Sequence, residues 1–525
     1  MTPRRDLALL LFVLLLGTYA YFWQGRDWNN ASRLMLTYAI VDRGTLWIDG
    51  LEINAGNPAE GVGDLARTPD GHYYTDKAPG QSLLGVPVYA LVKWLAGSPD
   101  HPLDLPAARE YWPRDYWVTL GTSGLGTAAL GVLLYAFFVR VGASQGAAVL
   151  LAVAYGLGTP AWTYATLFYG HQSAALAATA GFYLLYRGAD EPPLRGNARL
   201  LLAGLLAGWA VAVELPMLLV CGVLWAYGLA NLGWPGQSKA CPGAPGLAKP
   251  RRFRFQSAAW LTVGMILSGL ILLGYHTLAF GHPLRTGYSY EIYQPFREAH
   301  AGIGLGPPDW SVAPRLLVSL DRGLFVYAPV TLLALPACLA MLWRRRWALA
   351  VVPLASFVAL LLVNLCHRLP DGGLATGPRF LLPAVPLLLV PVAGWFSAVE
   401  AKTRPHWKNT LKAATLALAV YGIVGIASAT AVGGRLAPSD PNPWKNQVLP
   451  ALRAGQLARN LGSGFRSEPN APLASLLPLG FFGIVCGSML AWRVAAGPVE
   501  GDVRREAASQ KSGGSHARRD RPSPT

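Results

Sequence analysis

Leu7-Ala8-Leu9-Leu10-Leu11-Phe12-Val13-Leu14-Leu15-Leu16-Gly17 opens a run that carries no charge as far as Trp23. Gln24-Gly25-Arg26-Asp27-Trp28-Asn29-Asn30 then ends it abruptly. An apolar run of this length reads as a helix, because crossing the hydrocarbon core takes about 20 residues. Arg4 and Arg5 precede it, and Tyr19, Tyr21, Phe22 and Trp23 close it like an interfacial aromatic belt. A cleaved signal peptide would place small residues where these bulky ones stand.

Similar runs recur at 116–139, 146–165, 166–186, 200–213, 215–232, 258–280, 324–343, 347–366, 380–399, 413–432 and 473–492. With the first they make about twelve spans. The composition agrees: 53% of the 525 residues are hydrophobic and only 14% charged, against roughly 25% charged in soluble domains. The runs are continuously apolar instead of alternating, which excludes a β-barrel. The expected fold class is an all-α polytopic membrane protein, with interfacial helices in long extracytoplasmic loops. The run 81–96 is short and holds Pro87, and reads as one such interfacial helix. The five cysteines are scattered without paired spacing, so neither a disulfide framework nor a cysteine metal site is implied.

The net charge of +16 could suggest nucleic acid as a partner. Its distribution argues against that. With the N-terminus inside, the basic excess falls on the cytoplasmic segments, Arg344-Arg345-Arg346 above all, as the positive-inside rule requires. Both termini are then cytoplasmic. Residues 1–492 form the membrane domain and 493–525 a basic, disordered tail. The first outer loop, about 24–115, packs acids, amides and aromatics most densely between Gly25 and Gly80.

Asp27 follows closely on the first span. There it could cap the next helix, or act as a general base toward an acceptor hydroxyl, and the two roles are compatible. Asn30, Arg33 and Thr37 share one helical face. Arg33 offers a bidentate fork for phosphate, or an ion pair with Asp27 or a lipid headgroup. Asp76-Lys77-Ala78-Pro79 closes the loop. Lys77 suits a phosphate or simple snorkelling. Tyr73 and Tyr74 read as belt aromatics or as pocket lining. Asp76 with His72 is a weak candidate set for a divalent ion. His171, Arg285, Tyr288, Arg322 and Arg379 stand at outer helix ends, where several cations could gather around one anionic ligand.

This pattern resembles the GT-C class of polytopic glycosyltransferases, which includes protein O-mannosyltransferases and lipid A aminoarabinose transferases. The likeness rests on Asp27 after the first helix and on Asp76-Lys77-Ala78-Pro79 before a short helix. Further short blocks carry it: Gly158-Thr159-Pro160-Ala161-Trp162-Thr163-Tyr164, Gly281-His282-Pro283-Leu284-Arg285, Asp321-Arg322-Gly323 and Gly377-Pro378-Arg379-Phe380. The class usually shows Lys-Pro-Pro, and Ala78 replaces its first proline. Many members carry paired acids after the first helix, where this chain has Trp28.

The resemblance implies transfer of a sugar from a polyprenyl-phosphate donor to a lipid, glycan or protein acceptor outside the cytoplasmic (inner) membrane. Asp27 takes the base position and Lys77 the phosphate position. Asp76 takes the acidic position that touches a metal in some relatives. No nucleotide cofactor is needed, because the polyprenyl phosphate is itself a good leaving group. Inversion is expected, since no second carboxylate stands out as a nucleophile. Two other readings stay open. A lipid or sugar translocator would want polar residues at mid-depth, and these are scarce. An O-antigen-type ligase or polymerase would want a catalytic His or Arg pair in a late outer loop. Residues 433–472 supply Arg435 and Arg453 but no histidine.

Overall fold

The computed structural model describes residues 2–51, 63–96, 112–186, 196–233, 255–301, 304–370, 372–402, 405–438, 440–465 and 473–497. Most of the expected tail and the basic loop at 234–254 lie outside the described residues. So do residues 52–62 and 97–111 of the first outer loop, and most of the 187–199 connection.

The chain is a helical, multi-pass membrane protein. Among the described residues, six helices are long and apolar enough to cross a bilayer: Pro113–Val141, Phe255–Phe280, Ala348–Cys366, Arg379–Ala401, His406–Ala431 and Leu473–Ala496. Shorter apolar helices accompany them at Gln145–Gly158, Asn197–Val213, Met217–Leu232 and Pro329–Trp343. The first helix is Arg5–Tyr19, and another runs His171–Leu185. Two expected spans are shorter than the apolar runs that announced them. The 324–343 run is broken at Ala328, whose φ of −133° and ψ of 62° precede Pro329. The 146–165 run stops at Gly158 because Pro160 follows.

The helices pack closely where side chains are small. Gly204 and Gly208 of Asn197–Val213 pack almost backbone to backbone on Phe255–Phe280, Gly204 against Leu261 and Gly264, Gly208 against Met265. A Cβ added to Gly264 would stand 2.2 Å from the Leu201 carbonyl, and one on Gly204 would stand 2.1 Å from that of Leu261. Ser268 Oγ donates to the Leu205 carbonyl at 2.8 Å across the same seam. In a bilayer such close approach replaces the hydrophobic drive. Gly264→Val is expected to cost about 1–3 kcal/mol or more of stability, read as a lowered melting temperature in detergent. An unchanged melting temperature would show that the seam yields freely.

Polar contacts gather at the two ends of the bundle. At one end Asp6 pairs with Arg4 (2.7 Å) and Arg493 (2.9 Å), and Arg4 donates to the Arg493 carbonyl at 2.9 Å. Ser144 and Glu400, and Arg346 with the Val141 carbonyl, belong to the same end. At the other end the long loops pack together. Phe22–Trp23 pairs antiparallel with Arg459–Asn460. Leu65–Arg67 pairs with Tyr73–Thr75 as a hairpin, and Ile292 N–H donates to the Leu65 carbonyl at 3.1 Å. The hairpin was not expected from sequence. Its turn uses Asp70-Gly71, with Gly71 at φ +94°, a strong hairpin pair between strands too short to alternate.

The 81–96 run forms a helix, Gly80–Ala96, with Pro87 inside it. Leu91, Trp94 and Leu95 project from it 53%, 77% and 69% exposed.

Candidate active site

Asp27 caps the Trp28–Arg43 helix, and its two carboxylate oxygens divide the work. Oδ1 accepts the Asn30 backbone N–H at 2.9 Å, while Asn30 Oδ1 accepts the Asp27 N–H at 2.9 Å. This reciprocal box fixes the carboxylate on the helix start. Oδ2 turns away from the helix. It accepts the Tyr169 hydroxyl at 2.7 Å and lies 3.6 Å from Arg435 Nη1. Arg435 is tied down in turn by the carbonyls of Gln24 and Arg26. Neither Tyr169 nor Arg435 was singled out as a site residue from sequence, because each arrives from a distant loop.

Asn30 is spent on the cap and on the Gly25 carbonyl. Arg33 is buried. It donates to Asn29 Oδ1 (3.1 Å) and the Ala78 carbonyl (3.2 Å), and pairs with Glu214 Oε1 at 3.1 Å. Its ionic partner is therefore Glu214, where sequence had suggested Asp27. His171 Nδ1 is 3.6 Å from the same Glu214 oxygen. Glu214 sits between two apolar helices, and a lone acid in that position was the available signal.

Lys77 occupies an acidic cage. Its ammonium is 2.8 Å from Asp76 Oδ2 and 3.3 Å from Asp64 Oδ2, and lies 5.6 Å from the Tyr288 ring centre. Burial opposes its charge, but Asp64 and Asp76 outweigh that and raise its pKa. The second long loop closes the cage. Tyr288 stacks on His300 at 4.2 Å, and His300 Nδ1 lies 2.8 Å from both Glu291 oxygens. Burial holds His300 down at about 4, so it is neutral.

Asp76 and Glu291 meet carboxyl to carboxyl. Burial pushes both up, Glu291 to about 7, and two acids in contact must share a proton. The folded pair binds that proton at a pH where the unfolded chain has released it. This stabilisation is complete below about pH 4 and is lost as pH rises toward about 7. Glu291→Gln keeps the shape and cannot ionise. Its melting temperature, relative to wild type, should rise between about pH 5 and about pH 8. A difference that does not change with pH would rule out the shared proton.

His72 and Asp76 do not converge. His72 Nδ1 pairs with Asp49 at 2.5 Å and its ring stacks on Trp47, while Asp76 faces Lys77 and Glu291. Among the described residues no group of three or more His, Cys, Asp or Glu side chains is arranged to hold a metal ion. Tyr73 lies under Arg67, and Tyr74 is buried against Phe280.

The three remaining arginines differ sharply. Arg322 is fully buried and donates to the carbonyls of Gly373 (2.8 Å), Ala375 (2.8 Å) and Leu436 (3.2 Å). It clamps loops together. Arg285 is exposed and bonds the Tyr290 hydroxyl at 2.9 Å. Arg379 lies 5.5 Å from the Tyr169 ring centre and 4.9 Å from that of Phe380. Its charge acts on both Asp27 and Asp64.

No protein family model matches this chain, and no curated protein matches it. Among solved structures, the chain is similar to the crystal structure of ArnT from Cupriavidus metallidurans bound to undecaprenyl phosphate. The match covers 82% of this chain and 71% of that one, at 14% identity and a TM-score of 0.39. At that level no residue carries over from one chain to the other.

Proposed function

We propose that the chain is an extracytoplasmic glycosyltransferase of the GT-C kind, using a polyprenyl-phosphate-linked sugar. The observation that carries this reading is the divided carboxylate of Asp27. One oxygen is locked to a helix and the other is presented beside Tyr169 and Arg435. A base held this rigidly can meet an acceptor hydroxyl without reorganising.

In the step we infer, Asp27 Oδ2 takes the acceptor's proton. The acceptor oxygen bonds to the anomeric carbon as the bond to the donor phosphate breaks, and the polyprenyl phosphate leaves with the electron pair. Cations near the leaving oxygens stabilise the developing charge. One carboxylate at the reacting end suits a single displacement with inversion. We further infer that both termini are cytoplasmic and that the site lies outside, where lipid-linked sugars are presented.

The test is incubation of the purified full chain with a panel of polyprenyl-phosphate sugars and lipid, glycan and peptide acceptors, followed by mass spectrometry. Donor consumption with a glycosylated product supports the reading. A donor that crosses liposomes unchanged would favour translocation instead.

A further inference from the structure

Trp343-Arg344-Arg345-Arg346-Trp347 joins the Pro329–Trp343 and Ala348–Cys366 helices at the end of the bundle away from Asp27. The turn sorts its three arginines. The Arg345 N–H donates to the Leu342 carbonyl at 2.9 Å and the Arg346 N–H to the Met341 carbonyl at 2.8 Å, which closes the first helix in a Schellman loop. The Arg346 side chain turns inward, to the Val141 carbonyl (2.9 Å) and the Tyr186 hydroxyl (3.2 Å). Arg344 and Arg345 are exposed, and their side chains meet no carboxylate among the described residues. The acids of this end are engaged elsewhere. Asp6 is held by Arg4 and Arg493, and Glu400 by the N–H and hydroxyl of Ser144.

Arg345 has φ +57°. Glycine is the favoured residue at that position of the loop, because a Cβ strains a left-handed backbone. Keeping an arginine there costs stability, and no side-chain contact among the described residues offsets it. The flanking residues fix the depth of the turn. Trp343 is 91% exposed and Trp347 52%, each at the end of an apolar helix. Indoles in such places sit where hydrocarbon gives way to headgroups. Trp407 and Trp492 are exposed as well, near the ends of two further helices that reach the same side. Arg344 and Arg345, set between two indoles, therefore lie at the level of lipid phosphates. Topology asks only for positive charge in this loop. It asks neither for a left-handed arginine nor for an exposed indole on each side.

We propose that the 343–347 turn is a headgroup site for anionic phospholipid. The indoles rest on the upper ends of the acyl chains, and the two guanidiniums reach the headgroups from between them. Phosphatidylcholine presents the same phosphate but carries its own cation. The two arginines therefore select a headgroup with net negative charge. This site lies apart from Asp27 and does not rest on the transferase reading.

The experiment places the full-length protein in nanodiscs of phosphatidylcholine, with and without phosphatidylglycerol, and counts the retained lipids of each kind by native mass spectrometry. Wild type should retain phosphatidylglycerol preferentially, and salt should shrink the preference. Arg344→Gln and Arg345→Gly should each reduce it about fivefold. Arg345→Gly also relieves the left-handed backbone, so its melting temperature in phosphatidylcholine alone should equal or exceed that of wild type. Lost preference in a fold at least as stable is not a folding failure. Arg5→Gln removes an exposed cation of the same end without flanking indoles, and should change the preference less than either turn variant.

The proposal is overturned if wild type retains the two lipids alike, or if neither turn variant alters the preference. It is overturned too if Arg5→Gln matches them, which would reduce the effect to net charge. A lower melting temperature for Arg345→Gly in phosphatidylcholine would make the arginine a structural residue instead. Loss of retained phosphatidylglycerol on adding inorganic phosphate at constant ionic strength would show an anion site with no claim on lipid.

Discussion

Asp27→Asn should lower sugar transfer by about 10²–10⁴-fold, the usual worth of a positioned general base, with the fold intact. Asparagine caps a helix as well as aspartate does, so the box with Asn30 survives. The amide can still meet the Tyr169 hydroxyl, but it cannot accept a proton from an acceptor. The sign of the binding effect is also fixed. Removing a negative charge from the neighbourhood of Arg379 should leave donor binding equal or tighter. Asp27→Ala provides the contrast, since it also removes the cap and should cost about 1 kcal/mol of stability. Asp27→Asn with wild-type turnover would take Asp27 out of the chemistry and leave it a helix cap. Single-turnover transfer, donor binding and thermal melting on the same preparations separate these outcomes.

Arg322→Met should be the most damaging single change to folding. The guanidinium has no exposed surface, and it supplies hydrogen bonds to three carbonyls drawn from two separate loops. Methionine fills much of the volume and satisfies none of them. Each orphaned buried acceptor costs about 1 kcal/mol or more, so the variant should lose at least about 3 kcal/mol. Asp321 keeps Arg315 at 2.6 Å, which limits the electrostatic part of the loss. The Gly373 and Ala375 carbonyls belong to the loop that leads into Arg379, and Leu436 follows Arg435. Thermal melting and limited proteolysis should both report the change. A melting temperature within a degree or two of wild type would mean that water or another donor replaces the guanidinium.

The helical, membrane-spanning character was legible because hydrocarbon imposes a length and forbids charge, and runs such as 258–280 satisfy both. Asp27 and Lys77 stood out for being polar residues beside the first spans. Their partners were not readable. Tyr169, Glu214, Glu291, His300 and Arg435 come from loops more than a hundred residues away from Asp27 or Lys77. Each has a bland local context in which a cap, a belt aromatic or a surface charge is the ordinary reading. The sequence also held nothing to rank Arg285, Arg322 and Arg379. All three sit near outer helix ends, and only packing separates an exposed arginine, a loop clamp and a guanidinium flanked by two rings. The Leu65–Arg67 and Tyr73–Thr75 strands escaped because three residues are too few to show a period, although Asp70-Gly71 marked the turn.

Phe22–Trp23 is paired by Arg459–Asn460, Asp27 is approached by Arg435, and Gly17 packs against the ring of Phe482. The residues that finish the surroundings of the first helix are thus made long after it. A nascent chain holds Asp27 at the membrane surface long before its neighbours exist. A chain stopped short of residue 435 would lack both the arginine beside Asp27 and the strand that pairs with Phe22–Trp23.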